Sequence, residues 1–121
     1  MASSLVIKAT AGASDGAERC NQAFNVAAAA VASGVPVSLW LTGESSWYAL
    51  PGRAAEFELP HATPLDDLLA VVMSGGRVTL CTQCAARRDI GPDDVIPGIR
   101  IAGAPTFVEE ITTEGAQALV Y

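Results

Sequence analysis

Arg77-Val78-Thr79-Leu80-Cys81-Thr82-Gln83-Cys84-Ala85-Ala86-Arg87-Arg88 joins a strand-like apolar run directly to two thiols three positions apart, then to a short helical segment closed by two arginines. A strand that passes without a loop into a helix is the carboxyl half of an α/β unit. The preceding segment supplies the other half. Thr63-Pro64-Leu65-Asp66 reads as a helix start, with Thr63 as N-cap, Pro64 at the first helical position, and Asp66 and Asp67 at the positive end of the dipole. Leu65, Leu68, Leu69 and Val72 carry that helix to Gly75-Gly76.

The same alternation extends outward. Leu5 to Thr10 is a first strand, closed by the small-residue loop Ala11-Gly12-Ala13-Ser14-Asp15-Gly16. A helix is predicted from about Ala17 to Ser33, with Ala17, Cys20, Phe24, Ala27 and Val31 on one face and Gly34 beyond its end. Cys20 lies on that stripe and is expected in the core as a small hydrophobe. Val35 to Leu41 is a second strand, with Pro36 at its start, where a missing N–H is tolerated. Thr42 to His61 is a long connection whose Trp47, Tyr48, Leu50 and Phe57 require a surface to pack on. His61 has no partner carboxylate or cysteine nearby and is expected to be structural or exposed. After the cysteines come a turn-rich link, Ile90 to Gly98, a fourth strand, Ile99 to Ala102, and a helix from Pro105 to about Glu114. Phe107, Val108 and Ile111 share a face of that helix, Gly115 closes it, and Ala118 to Tyr121 is the last strand. Alternating elements with near-continuous apolar strands predict an α/β fold in which helices cover both faces of a parallel sheet. In such sheets reactive groups lie beyond the carboxyl ends of the strands, where Cys81 falls.

With 121 residues the chain suits a single domain spanning 1–121, large enough to hold a core without disulfides or metal. Half the residues are hydrophobic and the mean hydropathy is +0.34, which predicts burial on two sheet faces or in a homo-oligomer. A net charge of −6 provides no basic stripe, so nucleic acid is not an expected partner. No stretch approaches the roughly 18 apolar residues of a membrane span, and the amino terminus lacks a basic or long apolar leader segment. Three cysteines, two of them in a CxxC, indicate a reducing compartment, and the expected location is the cytoplasm.

A cysteine at a helix N-terminus near cations favours its thiolate, the form that acts as a nucleophile. Cys81 is placed for this, with Arg87 and Arg88 as supporting cations or, equally, as charges that cap the helix C-terminus. Cys84 falls on the same helical face. The pair can cycle between dithiol and disulfide, Cys84 can resolve a persulfide or mixed disulfide on Cys81, or the two can form half of a zinc site. Zinc is the weakest of these, because Cys20 and His61 are the only other Cys or His residues unless subunits share a metal. No GxGxxG, GxxxxGK[ST] or HExxH motif occurs, so no cofactor and no metal ligand is assigned. The 11–16 loop offers backbone N–H groups, but loops of this kind end many first strands.

At Cys81-Thr82-Gln83-Cys84-Ala85-Ala86-Arg87-Arg88 the chain resembles the DsrE/DsrF-like family of small sulfur-relay proteins. The alanine-rich first helix, Leu41-Thr42-Gly43 and the segment Val95 to Gly103 extend the resemblance over most of the chain. It implies a three-layer α/β/α sandwich on a five-stranded parallel sheet, assembly into trimers or hexamers, and a cysteine that carries sulfane sulfur as a persulfide between donor and acceptor proteins. That cysteine falls on Cys81, and Cys84 matches members that have a second cysteine three positions later. The chain departs from the family at Asp89, where glycine often follows the motif's arginine. The expected function is therefore sulfur relay through Cys81. The alternative is a non-enzymatic oligomeric module with a CxxC redox switch or an inter-subunit metal site.

Overall fold

Residues 3–121 are described by a computed structural model. Met1 and Ala2, at the start of the amino-terminal stretch read above, lie outside the described residues. Five parallel strands, β1 (Ser4–Ala9), β2 (Val37–Leu41), β3 (Arg77–Cys81), β4 (Arg100–Ala102) and β5 (Ala116–Val120), form one sheet in the order β4-β3-β2-β1-β5. The α/β fold expected from the alternation is thus present. Chain progress from β1 to β4 runs in one direction across the sheet, and only the last connection returns to β1's other side. Right-handed crossovers therefore put α1 (Ala13–Ala32), α2 (Leu65–Gly75) and α3 (Thr82–Arg87) on one face and α4 (Ala104–Ile111) on the other.

The two faces have different chemistry. On the first, Ile7, Ala9, Leu39, Leu41, Val78 and Leu80 pack against Cys20, Ala23, Phe24 and Ala27 of α1 and Leu65, Leu69 and Val72 of α2. Two 3-10 turns, Gly43–Ala49 and Ala54–Glu56, shape the long connection and send Tyr48 and Phe57 into this core. Tyr48 meets Phe24 and Phe57 edge to face, with centroids 6.0 and 5.9 Å apart, which gives the connection the packing surface its aromatics demanded.

The opposite face departs from the continuous apolar surface predicted for it. Strand alternation and register line up Lys8, Trp40 and Thr79, with Ser38 and Arg100 beside them. These residues need polar partners, and α4 supplies one carboxylate. Glu110 accepts hydrogen bonds from Ser38 Oγ at 2.6 Å, from Trp40 Nε1 at 3.0 Å and from Arg100, with Arg77 at 3.5 Å. Phe107 adds an edge-to-face contact with Trp40 at 5.3 Å and receives Lys8 Nζ 4.1 Å from its ring centre. Even so, α4 has no buried residue.

Several element ends differ from expectation. An extra turn precedes the first helix, with Gly12 as N-cap and Asp15 Oδ1 accepting the Gly12 N–H at 2.8 Å, and a kink at Gly16 (φ 173°, ψ 65°) separates it from the helix that runs on from Ala17 as predicted. Pro64 is the N-cap of α2 rather than its first helical residue, since its ψ of 134° is extended, and Thr63 makes no capping bond. The last helix stops at Ile111 and leaves Val108 51% exposed instead of on the packed face with Phe107. Among the described residues no helix is long and apolar enough to cross a membrane.

Burial pushes the Glu110 pKa up, but the bonds from Ser38, Trp40 and Arg100 and the Arg100 charge outweigh it, so the carboxyl titrates below its ordinary value. A depressed folded value means that its contribution is present above the unfolded pKa and is lost as pH falls through the folded one. Replacing Glu110 with Gln removes the charge-assisted bond to Arg100 and is expected to cost about 2 kcal/mol at neutral pH. The gap between wild type and E110Q in urea midpoint should narrow as pH drops below 4.5. A gap that stays constant down to strong acid would contradict this role.

Candidate functional site: a dithiol at the carboxyl edge of the sheet

The site is built where β3 ends. Cys81 is the last residue of β3 and the N-cap of α3, and Cys84 is three residues into the helix. Alternation along β3 puts the Cys81 side chain on the α4 face with Thr79 and Lys8. Cys84 is buried, and its sulfur accepts the Gly43 N–H at 3.3 Å from the turn that follows β2. The two sulfurs are neighbours and both thiols are free.

Partial burial raises the Cys81 pKa. It is outweighed by the Cys84 N–H, the Cys84 thiol, the Gln83 N–H and the charge of Lys8, which together bring it below the ordinary thiol value. None of the N–H groups closes a full capping hydrogen bond, so their effect comes from dipoles directed at the sulfur. Cys20 is in the core, as expected. It has no exposed surface, and burial pushes its thiol up to about 12 despite a hydrogen bond with Ser45.

Of the two roles open to the arginines, the structure shows the position at the helix C-terminus, with Arg87 in the last turn of α3 and Arg88 as its C-cap. Arg88 binds Glu44 through Nη2 at 2.8 Å and Nε at 3.2 Å, and reaches the Cys84 carbonyl with Nη1 at 3.2 Å. Its charge is thus paired with Glu44, whose pKa it lowers, and the guanidinium ties α3 to the turn after β2. Arg87 is exposed and has no hydrogen bond or ion pair among the described residues. The cation acting on Cys81 is Lys8, contributed by β1. Asp89 is exposed at φ 57° in the turn that ends α3. His61 is also exposed, at φ 62°.

Lys8, Gly43 and Glu44 are the residues that sequence reasoning missed. A lysine in an apolar strand and a Thr-Gly-Glu after another strand have no local signature that links them to cysteines far along the chain. The one available signal was position, because all three lie at the carboxyl ends of neighbouring strands. Two glycines permit this crowding. Gly43 has φ 51°, and a Cβ there would fall on the Thr10 carbonyl oxygen, while a Cβ on Gly12 would lie 2.9 Å from the Glu44 carbonyl oxygen.

An open parallel sheet that presents an ionisable thiol and a contacting second thiol at its carboxyl edge defines a small α/β protein organised around an edge dithiol. This chain belongs to the DsrE/DsrF-like family, whose model matches residues 5–120. It is similar to the YchN protein of E. coli, with a TM-score of 0.79, 19% identity and 98% coverage of both chains. A conserved protein of unknown function from Bacteroides thetaiotaomicron aligns with a TM-score of 0.61 and 15% identity, covering 98% of this chain and 95% of that one. These likenesses establish the fold. An uncharacterised protein of Methanocaldococcus jannaschii is 28% identical over 97 residues, which are 79% of this chain and 35% of that protein, so the chain spans about a third of that relative's length.

At neutral pH iodoacetamide is expected to alkylate Cys81 fastest, buried Cys84 more slowly and Cys20 only on unfolding, as read by peptide mass mapping. Lys8→Met should slow the Cys81 reaction about threefold at low ionic strength, with a smaller effect in high salt. Equal labelling of Cys81 and Cys84 would contradict this assignment.

Proposed function

We propose that this protein is a sulfur-relay protein that accepts sulfane sulfur as a persulfide on Cys81. The observation that carries the reading is the environment of Cys81, a half-exposed sulfur at the sheet edge with two backbone N–H groups, a thiol and a lysine favouring its anion. A thiolate attacks the outer sulfur of a donor persulfide, and the donor leaves as its own thiolate. The persulfide formed is again an anion, so the features that favour the thiolate also suit the loaded state. Family membership supports the same reading.

The partners are a sulfur donor and a sulfur acceptor protein, and the working location is the reducing cytoplasm, which keeps Cys81 free. Assembly into trimers or hexamers is part of the proposal. It is supported by an α4 without buried residues and by the exposure of Val108 at 51% and Val120 at 64%.

The test uses Cys84→Ser, which removes the neighbouring thiol and traps the load. After incubation with glutathione persulfide, mass spectrometry is expected to show one added sulfur, about 32 Da, on the Cys81 peptide. Cys81→Ser should gain none. Absence of the adduct from Cys84→Ser would refute sulfur carriage at this site.

A further inference from the structure

Carriage on Cys81 uses the buried Cys84 thiol only as a donor to Cys81 and leaves two features of the site unused. These are the N–H that Gly43 directs at Cys84 and the rigidity of the turn holding that N–H. The turn is anchored at both ends. Thr42 donates its N–H to the Ala9 carbonyl at 3.0 Å and its hydroxyl to the same oxygen at 2.9 Å, and the Ser45 N–H returns to the Thr42 carbonyl at 3.0 Å. Between these bonds Gly43 adopts φ 51°, with no space for a Cβ beside Thr10. The helix carrying Cys84 is tied to the same turn by the Arg88 to Glu44 pair. The 3.3 Å approach of the Gly43 N–H to the Cys84 sulfur is thus fixed from both sides. A backbone N–H held at a buried sulfur stabilises that sulfur's anion and requires no rearrangement when the charge develops.

We infer that Gly43 turns Cys84 into a second nucleophile, so that the Cys81 persulfide is discharged within the protein as hydrosulfide. This rests on the loading of Cys81 read above and gives the persulfide a second fate, taken when no acceptor protein draws off the sulfur. In the loaded state the sulfane atom is bonded to the Cys81 sulfur, whose side chain lies on the α4 side, and the Cys84 thiol donates toward that inner sulfur. Attack of Cys84 on the inner sulfur makes the sulfane atom the leaving group. Cys84–SH and Cys81–S–S⁻ give the Cys81–Cys84 disulfide and HS⁻. One sulfur–sulfur bond forms and one breaks, the sulfane sulfur is reduced to sulfide, the two cysteine sulfurs are oxidised to the disulfide, and the Cys84 proton ends on hydrosulfide. The disulfide then needs a dithiol reductant to restore the protein. In a reaction sequence the protein therefore stands after a step that generates a protein or low-molecular-weight persulfide, and before one that consumes sulfide.

The test follows wild type, Cys84→Ser and Gly43→Ala after mixing with glutathione persulfide, reading both released sulfide and protein mass. Wild type is expected to release one equivalent of sulfide and lose two hydrogens, about 2 Da, as the disulfide forms. Cys84→Ser should hold the added sulfur and release none. Gly43→Ala should release sulfide about tenfold more slowly relative to its own loading rate, the effect of losing a hydrogen bond to a charged group. If Gly43→Ala does not fold, the Gly43 amide resonance of Cys81→Ser is followed against pH, where it should move with ionisation of the Cys84 thiol. Wild type that keeps a stable added sulfur on Cys81, or passes it to Cys84 without sulfide release, overturns the inference while carriage stands. An unchanged release rate in Gly43→Ala, or an amide resonance insensitive to Cys84, removes Gly43 from it. Failure of Cys84→Ser to take up sulfur overturns the carrier reading and this inference together.

Discussion

A single carboxylate, Glu110, determines how the second face of the sheet is closed. A parallel sheet of this order receives three helices on one side and one on the other, and that one helix is eight residues long with no buried residue. Hydrophobic burial alone gives it little hold. The face it covers carries a tryptophan indole, a serine and two arginines, so the anchor is electrostatic and directional. Most of its strength lies in the bonds from Trp40, Ser38 and Arg100, because Arg77 is well exposed and its ion pair is screened by water.

This closure reaches the thiol at the sheet edge. Phe107, held on α4 next to Trp40, seats the ammonium of Lys8, and Lys8 is the cation that acts on Cys81. The polar face thus serves two ends at once. It fixes α4, and it brings positive charge to the edge cysteine without an arginine close to the sulfur.

The two thiols face different surroundings although they are neighbours. Cys81 closes a strand and opens toward the lightly covered face, whereas Cys84 faces the turn after β2, where two glycines allow the first two strand-to-helix loops to crowd together. Sequence spacing alone makes the pair look like equivalent partners on one helical face. The fold makes them unequal in exposure and in the hydrogen-bond donors each one meets.

Much of the fold could be read from the chain because its signals are local. Apolar runs of strand length, helix stripes in Leu65 to Val72 and around Phe24, and glycines at element ends each report on a few consecutive residues, and alternation of the two periods implies a parallel sheet. The position of Cys81 at the carboxyl edge followed from the same local reading, as did the burial of Cys20. Element ends were less legible, because a cap such as Asp15 on Gly12 or the extended Pro64 depends on individual hydrogen bonds and dihedral angles. The partners of the cysteines could not be read at all. Lys8, Gly43 and Glu44 come from other strands, and which of them faces a thiol is set by sheet order and register, to which no single segment is sensitive. Arg88 shows the limit most clearly: sequence placed its charge near the thiols, and only the folded chain could supply Glu44 to bind it. That a cysteine stands at the edge of an α/β sheet is written in the chain, since strand, thiol and helix are contiguous. What surrounds that cysteine is a property of the folded molecule, because charges and backbone donors act through space from residues that the chain order keeps far apart.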